Sequence, residues 1–155
     1  MYGVITSINA GDKGWTIENY THEIGKNPRY AAAYNNRGVL YYNKGEYNQA
    51  LADFNEAIGL GQNLEIEDYN CGLAYFSCRF YDQAVTHLNN AIKKFKNILT
   101  NSHVIVPLLT AAHYYCGLAH FNKGNREKAI ENLQEADHLC PNNQEIIQAL
   151  KDVRN

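Results

Sequence analysis

Residues 31–64 read AAAYNNRGVLYYNKGEYNQALADFNEAIGLGQNL, and residues 65–98 read EIEDYNCGLAYFSCRFYDQAVTHLNNAIKKFKNI. Laid over one another, the two stretches pair Gly38 with Gly72, Tyr41 with Tyr75, Tyr47 with Tyr81, Ala50 with Ala84, Ala57 with Ala91 and Ile58 with Ile92, in one register of 34 residues. Gly72, Ala84 and Ala91 recur 45 residues later as Gly117, Ala129 and Ala136, so a third copy follows after an 11-residue insertion, residues 99–109. Recurrence at a spacing of this size marks a chain of stacked supersecondary units, none of which buries its apolar side alone.

Each unit reads as two helices. Tyr34, Gly38 and Tyr41, and then Ala50, Phe54, Ala57 and Ile58, fall three or four residues apart, the period of an amphipathic helix. Asn43-Lys44-Gly45-Glu46 and Asn122-Lys123-Gly124-Asn125 break that period, with a glycine placed to close the first helix in the left-handed conformation. The middle unit has Cys78-Arg79-Phe80 at this point, which calls for a different turn or a strained one. Gly and Ala at fixed places let two antiparallel helices approach closely, while aromatic rings fill the flanking grooves.

Composition narrows the function classes. The chain has a formal net charge of -2 and no run of cations beyond Lys93-Lys94, so nucleic acid is not an expected partner. Its longest apolar stretch, Val104 to Leu109, is six residues and contains Pro107, far short of a membrane span. Residues 1–10 lack both a basic start and a long apolar run, so no secretory signal is expected and the localisation expected is cytoplasmic. Cys71 and Cys78 lie about 10 Å apart along one helix, too far for a disulfide, and all four cysteines are read as free thiols. There is no Gly-rich phosphate loop, no Gly-x-Ser-x-Gly and no His-Glu-x-x-His, so neither an enzyme nor a cofactor is expected.

These units resemble the tetratricopeptide-repeat (TPR) family. Counted from Ala31, the first puts Tyr34, Arg37, Gly38, Tyr41, Ala50, Phe54, Ala57 and Gln62 at the places where the family has its marker residues. Counted from Glu65, the second puts Asp68, Cys71, Gly72, Tyr75, Ala84, Leu88, Ala91 and Lys96 there. The third, from Thr110, puts His113, Cys116, Gly117, His120, Ala129, Leu133, Ala136 and Pro141 there. Residues 13–27, followed by Pro28, are similar to the second helix of a degenerate earlier repeat. Asn143 is placed to cap a closing helix over residues 144–154, with Ile147 and Leu150 facing inward. The resemblance implies an all-α fold, a TPR-type right-handed α-α superhelix of antiparallel helix pairs in one domain. Its parts are a half repeat (1–30), three full repeats (31–64, 65–98 and 110–143) and a capping helix (144–155).

For function, the resemblance implies a non-catalytic protein-interaction module or adaptor that binds a partner peptide or protein in its concave groove. A small dimeric secretion or assembly chaperone holding a client is the alternative. The groove residues implied are Asn35, Asn36, Val39, Tyr42 and Asn43, then Tyr69, Asn70, Leu73 and Phe76, then Tyr114, Leu118 and Phe121. Asn35, Asn36 and Asn70 are expected to meet the backbone of an extended peptide, with its apolar side chains on Tyr42, Tyr69, Phe76 and Phe121. Relatives that clamp a carboxyl-terminal peptide use cations on this wall, and this wall has none.

Other features have structural readings beside functional ones. His113, Cys116 and His120 share one helix face and are metal-ligand types, but they occupy core places, and no metal site is expected. Arg37 is read as structural, reaching a carboxylate such as Glu18 or Glu23 of the preceding helix. The 99–109 insertion is expected to lengthen the helices on either side of a turn at 100–103 capped by Ser102. Its apolar residues either pack on the array's own flank or form a homodimer patch.

Overall fold

The computed structural model describes residues 14–61, 66–98 and 104–155. Among them run eight helices and no strand: α1 (Ile17–Lys26), α2 (Ala31–Asn43), α3 (Tyr47–Gly59), α4 (Glu67–Ser77), α5 (Tyr81–Asn97), α6 (Ile105–Asn122), α7 (Arg126–Leu139) and α8 (Gln144–Arg154). Helices α2 and α3, α4 and α5, and α6 and α7 pack as pairs. The backbones of the first helices α2, α4, α6 and α8 come within 8 Å of their successors, whereas those of α3, α5 and α7 stay farther apart among the described residues. A stack held tightly on one side and splayed on the other curves toward the tight side, so α2, α4, α6 and α8 line its inner wall.

The recurrent small residues sit where the pairs are closest. A Cβ on Gly38 would lie 2.6 Å from Phe54 Cε1, one on Gly72 2.7 Å from Leu88 Cγ, and one on Gly117 2.8 Å from Leu133 Cγ. Ala50, Ala57, Ala84, Ala91, Ala129 and Ala136 are fully buried on the opposing helices. The core therefore runs continuously from α2 to α6, and a second cluster joins α7 to α8.

All three turns inside the pairs close in the same way. Gly45 (φ 79°) and Gly124 (φ 80°) are left-handed, and so is Arg79 (φ 63°) in the middle pair. Glu46 N–H donates to Tyr41 O, Phe80 N–H to Tyr75 O and Asn125 N–H to His120 O, each at 2.9 Å, the long bond of a Schellman closure. The middle unit thus keeps the turn and carries the strain, which for an L-residue is about 1–2 kcal/mol. Arg79→Gly is expected to raise the unfolding free energy by about 1 kcal/mol, read by urea denaturation, because the relief exceeds the entropy that glycine adds to the unfolded chain.

The ends follow their caps. Thr16 and Asn19 form a reciprocal capping box at the start of α1. At α8, Asn143 Oδ1 accepts from the N–H groups of Glu145 (3.0 Å) and Ile146 (3.2 Å). This cap sets the helix phase so that Ile146, Ala149, Leu150 and Val153 face inward. Leu150 is buried as expected, but Ile146 takes the inward place expected of Ile147, which is only half-buried.

Arg37 also differs from expectation. Its guanidinium makes a bidentate pair with Asp53 of α3, Nε to Oδ2 at 2.8 Å and Nη2 to Oδ1 at 2.7 Å, and its Nη1 donates to Thr21 Oγ1 of α1 at 3.0 Å. The carboxylate it finds lies on the second helix of its own pair, while Glu23 of the preceding helix is engaged by Lys26. A planar guanidinium reaching two carboxylate oxygens side by side outweighs a single-point contact to one carboxylate oxygen.

Helices α5 and α6, at 17 and 18 residues, are longer than the 13-residue α2 and α3. Pro107 sits in the opening turn of α6, where its missing N–H breaks no helical bond. Ile98, Ile105 and Leu108 pack on the core, and Val104 is exposed. The expected turn at 100–103 and its Ser102 cap lie outside the described residues. No helix among the described residues is long and apolar enough to cross a membrane.

Candidate functional site

The inner wall has a buried floor and an accessible rim. Asn35, Asn36 and Asn70 lie in the floor, at 0%, 1% and 0% exposure. Asn70 Nδ2 donates to Asn35 Oδ1 at 2.9 Å, and Asn35 Nδ2 to Asn36 Oδ1 at 3.3 Å, so the amides run as a chain from α4 into α2. Val39, Tyr69 and Leu73 are buried beside them. An amide at this depth is matched to its neighbours because a buried polar group without a partner costs about 1–3 kcal/mol.

The rim is aromatic. Tyr42 shares a hydrogen bond with Ser77 of the next pair at 2.9 Å and packs its ring on Tyr47, centroids 5.1 Å apart. Phe76 meets Tyr115 edge-to-face at 5.3 Å, joining α4 to α6, and Tyr114 meets Tyr115 at 5.2 Å. Tyr42, Phe76, Tyr114, Leu118 and Phe121 are all partly exposed, and Asn43 is exposed at the end of α2. At the far end Tyr114, Leu118 and Phe121 form the floor of a groove of about 610 Å³ whose other wall is α8.

His113 and Cys116 point to different neighbours. His113 Nδ1 bonds Asn132 Oδ1 of α7 at 3.0 Å, and the Cys116 thiol donates to Asn89 Oδ1 of α5 at 3.6 Å. His120 is buried, and burial lowers the pKa of both histidines, favouring the neutral ring. Burial likewise pushes the Cys71 and Cys116 thiols up to about 12, so neither is a nucleophile at neutral pH.

A polar ladder that no sequence motif announces runs between the pairs. Arg37 bonds Thr21, Cys71 bonds Asn55 at 3.6 Å, and Cys116 bonds Asn89. Thr21, Asn55 and Asn89 stand 34 residues apart, so the signal lay in the same register that pairs the glycines. A second recurrent contact works within pairs: Asp68 holds His87 at 2.9 Å and Lys94 at 2.8 Å, and His113 holds Asn132 at the same 19-residue separation.

The fold defines a helical-repeat solenoid whose inner face carries partly exposed aromatic residues. Two tetratricopeptide-repeat family models match residues 31–63 and 69–144, and the chain belongs to that family. No curated protein sequence matches it. Among solved structures it is similar to MamA (TM-score 0.80, 21% identity, covering 96% of this chain and 84% of that one). It is also similar to the second TPR domain of human RPAP3 in complex with the HSP70 peptide SGPTIEEVD (TM-score 0.69, 18% identity, 81% and 95% covered). A third is the first TPR of Spaghetti (RPAP3) bound to the HSP90 peptide SRMEEVD (TM-score 0.69, 21% identity, 80% and 90% covered).

Proposed function

We propose that this chain is a non-catalytic protein-interaction module that holds an extended segment of a partner polypeptide along the inner wall of α2, α4, α6 and α8. We take residues 31–64, 65–98 and 110–143 as the three repeats of one domain that builds this wall, with 1–30 as a half repeat and 144–155 as the cap. The observation that carries the reading is the partly exposed aromatic rim, from Tyr42 through Phe76 and Tyr114 to Phe121, above a buried floor. Aromatic side chains present large contact area at low entropy cost, which suits them to gripping a peptide.

Asn35, Asn36 and Asn70 then act as the floor that fixes the spacing of α2 and α4, while Tyr42, Asn43, Phe76, Tyr114, Leu118 and Phe121 make the contacts. The RPAP3 structures, whose peptides end in acidic residues, support a peptide as the kind of partner. The expected groove positions on α2, α4 and α6 carry no cation, which favours a different peptide chemistry.

A peptide selected from a random 12-residue display library is expected to bind with micromolar affinity and to lose at least tenfold in affinity against Phe121→Ser, measured by calorimetry. Equal affinity for the variant would count against the groove. Light scattering on the same complex is expected to give one chain per peptide.

A further inference from the structure

The groove between α6 and α8 has a chemistry that specifies more than a generic peptide. Its floor is apolar, from Tyr114, Leu118 and Phe121. Both ionisable acid–base groups on its α8 wall, Glu145 and Asp152, are carboxylates, and no Lys, Arg or His lines it among the described residues. They are seven residues apart, two helical turns, and so lie on one face of α8 about 10.5 Å apart along its axis. Gln148, between them, donates its Nε2 to Asp152 Oδ1 at 2.7 Å and orients that carboxylate. The charge of Glu145 reaches across the groove: it adds to burial in raising the Tyr114 and Tyr115 hydroxyls. Lys151 and Arg154 of α8 do not line the groove.

Resting on the peptide-binding reading above, we propose that this groove takes a basic–apolar segment, with Lys or Arg at positions i and i+3 and a large apolar side chain between them. A peptide in the polyproline II conformation has three residues per turn and rises about 3.1 Å per residue, so side chains three apart point the same way and lie about 9 Å apart. That is close to the spacing of Glu145 and Asp152. The side chain between enters the aromatic floor while each cation meets one carboxylate.

Fluorescence anisotropy on the full chain tests this with three labelled peptides in identical Gly-Ser flanks: cores Lys-Phe-Leu-Lys, Glu-Phe-Leu-Glu and Lys-Ser-Ser-Lys. The first is expected to bind at least tenfold tighter than the other two, to weaken as salt rises, and to lose about tenfold against Glu145→Gln/Asp152→Asn, whose exposed positions leave the fold intact. Equal or tighter binding of the acidic core, with Phe121→Ser still abolishing it, would overturn the charge assignment and leave the groove reading standing. Equal binding of the Ser-Ser core would remove the apolar floor from recognition and overturn the proposal. Binding of the first peptide that neither Phe121→Ser nor the double variant changes would place it elsewhere and overturn both readings.

Discussion

Gly72→Val is expected to destabilise the chain by about 3 kcal/mol, or to leave it unfolded at 37 °C, because the middle pair has no room for a side chain at that place. A Cβ on Gly72 would stand 2.7 Å from Leu88 Cγ and 3.2 Å from the Leu88 backbone nitrogen. The Leu88 side chain is fully buried and cannot swing out, and the backbone contact is relieved only if α4 and α5 move apart. Helix propensity returns about 1 kcal/mol when a helical glycine is replaced by a better former, which is too little to offset the clash. The change is expected to couple to its neighbour: Leu88→Ala alone costs about 2–5 kcal/mol through its cavity, yet Gly72→Val/Leu88→Ala should cost less than the sum, since each change relieves the other. Urea denaturation of the four proteins reads the coupling. Additive losses would show that Gly72 and Leu88 are not in the contact described.

The second large effect is pH-dependent. Glu67 stands at the third place of its unit, where the other two units have Ala33 and Ala112, and all three are buried. Its Oε1 has no hydrogen-bond partner among the described residues. Burial, opposed by Lys94 and reinforced by Asp68, pushes its carboxyl from the ordinary 4.5 up to about 7. Because the folded value is raised, the neutral group supports the fold below pH 4.5, and this support is lost as pH rises through about 7. A displacement of that size corresponds to about 3 kcal/mol between the two limits. Glu67→Ala removes this penalty and also about 1 kcal/mol of methylene packing. The variant is therefore expected to be more stable than the natural chain by about 2 kcal/mol at pH 8 and no more stable at pH 4. Neighbouring Asp68 behaves in the opposite sense. Despite its burial, His87, Lys94 and Asn90 hold it down to about 2, so its contribution is lost only as pH falls through that value. His113 and His120 titrate in both proteins, so the difference between variant and natural chain isolates Glu67. A pH-independent difference would contradict its burial as a charge.

Much of this architecture was legible from small residues alone. Gly38, Gly72 and Gly117 mark the closest approaches because steric exclusion is set by the residue type at a place, whatever surrounds it. The period that flanks them fixes helices in the same way. Partner choice by long polar side chains was less legible. Arg37 pairs with Asp53 of α3 instead of Glu18 or Glu23 of α1, a choice set by how α2 and α3 cross. Depth was also hidden: the repeat register assigned Asn35, Asn36 and Asn70 to the inner wall but not to its floor, because burial there depends on how closely α2 and α4 meet. The exchange of Ile147 for Ile146 has the same origin, since one residue of phase at the Asn143 cap turns the apolar face of α8 by about 100°. Arg79 shows the reverse case, in which the turn geometry held and the residue yielded.

The proposal that a partner lies on the inner wall is tested most directly by hydrogen–deuterium exchange of the natural chain with and without a display-selected peptide. Binding is expected to slow exchange in residues 39–43, 73–77, 114–122 and 144–152 and to leave α3, α5 and α7 unchanged. Slowing confined to α3, α5 and α7, with the inner helices unaltered, would contradict it.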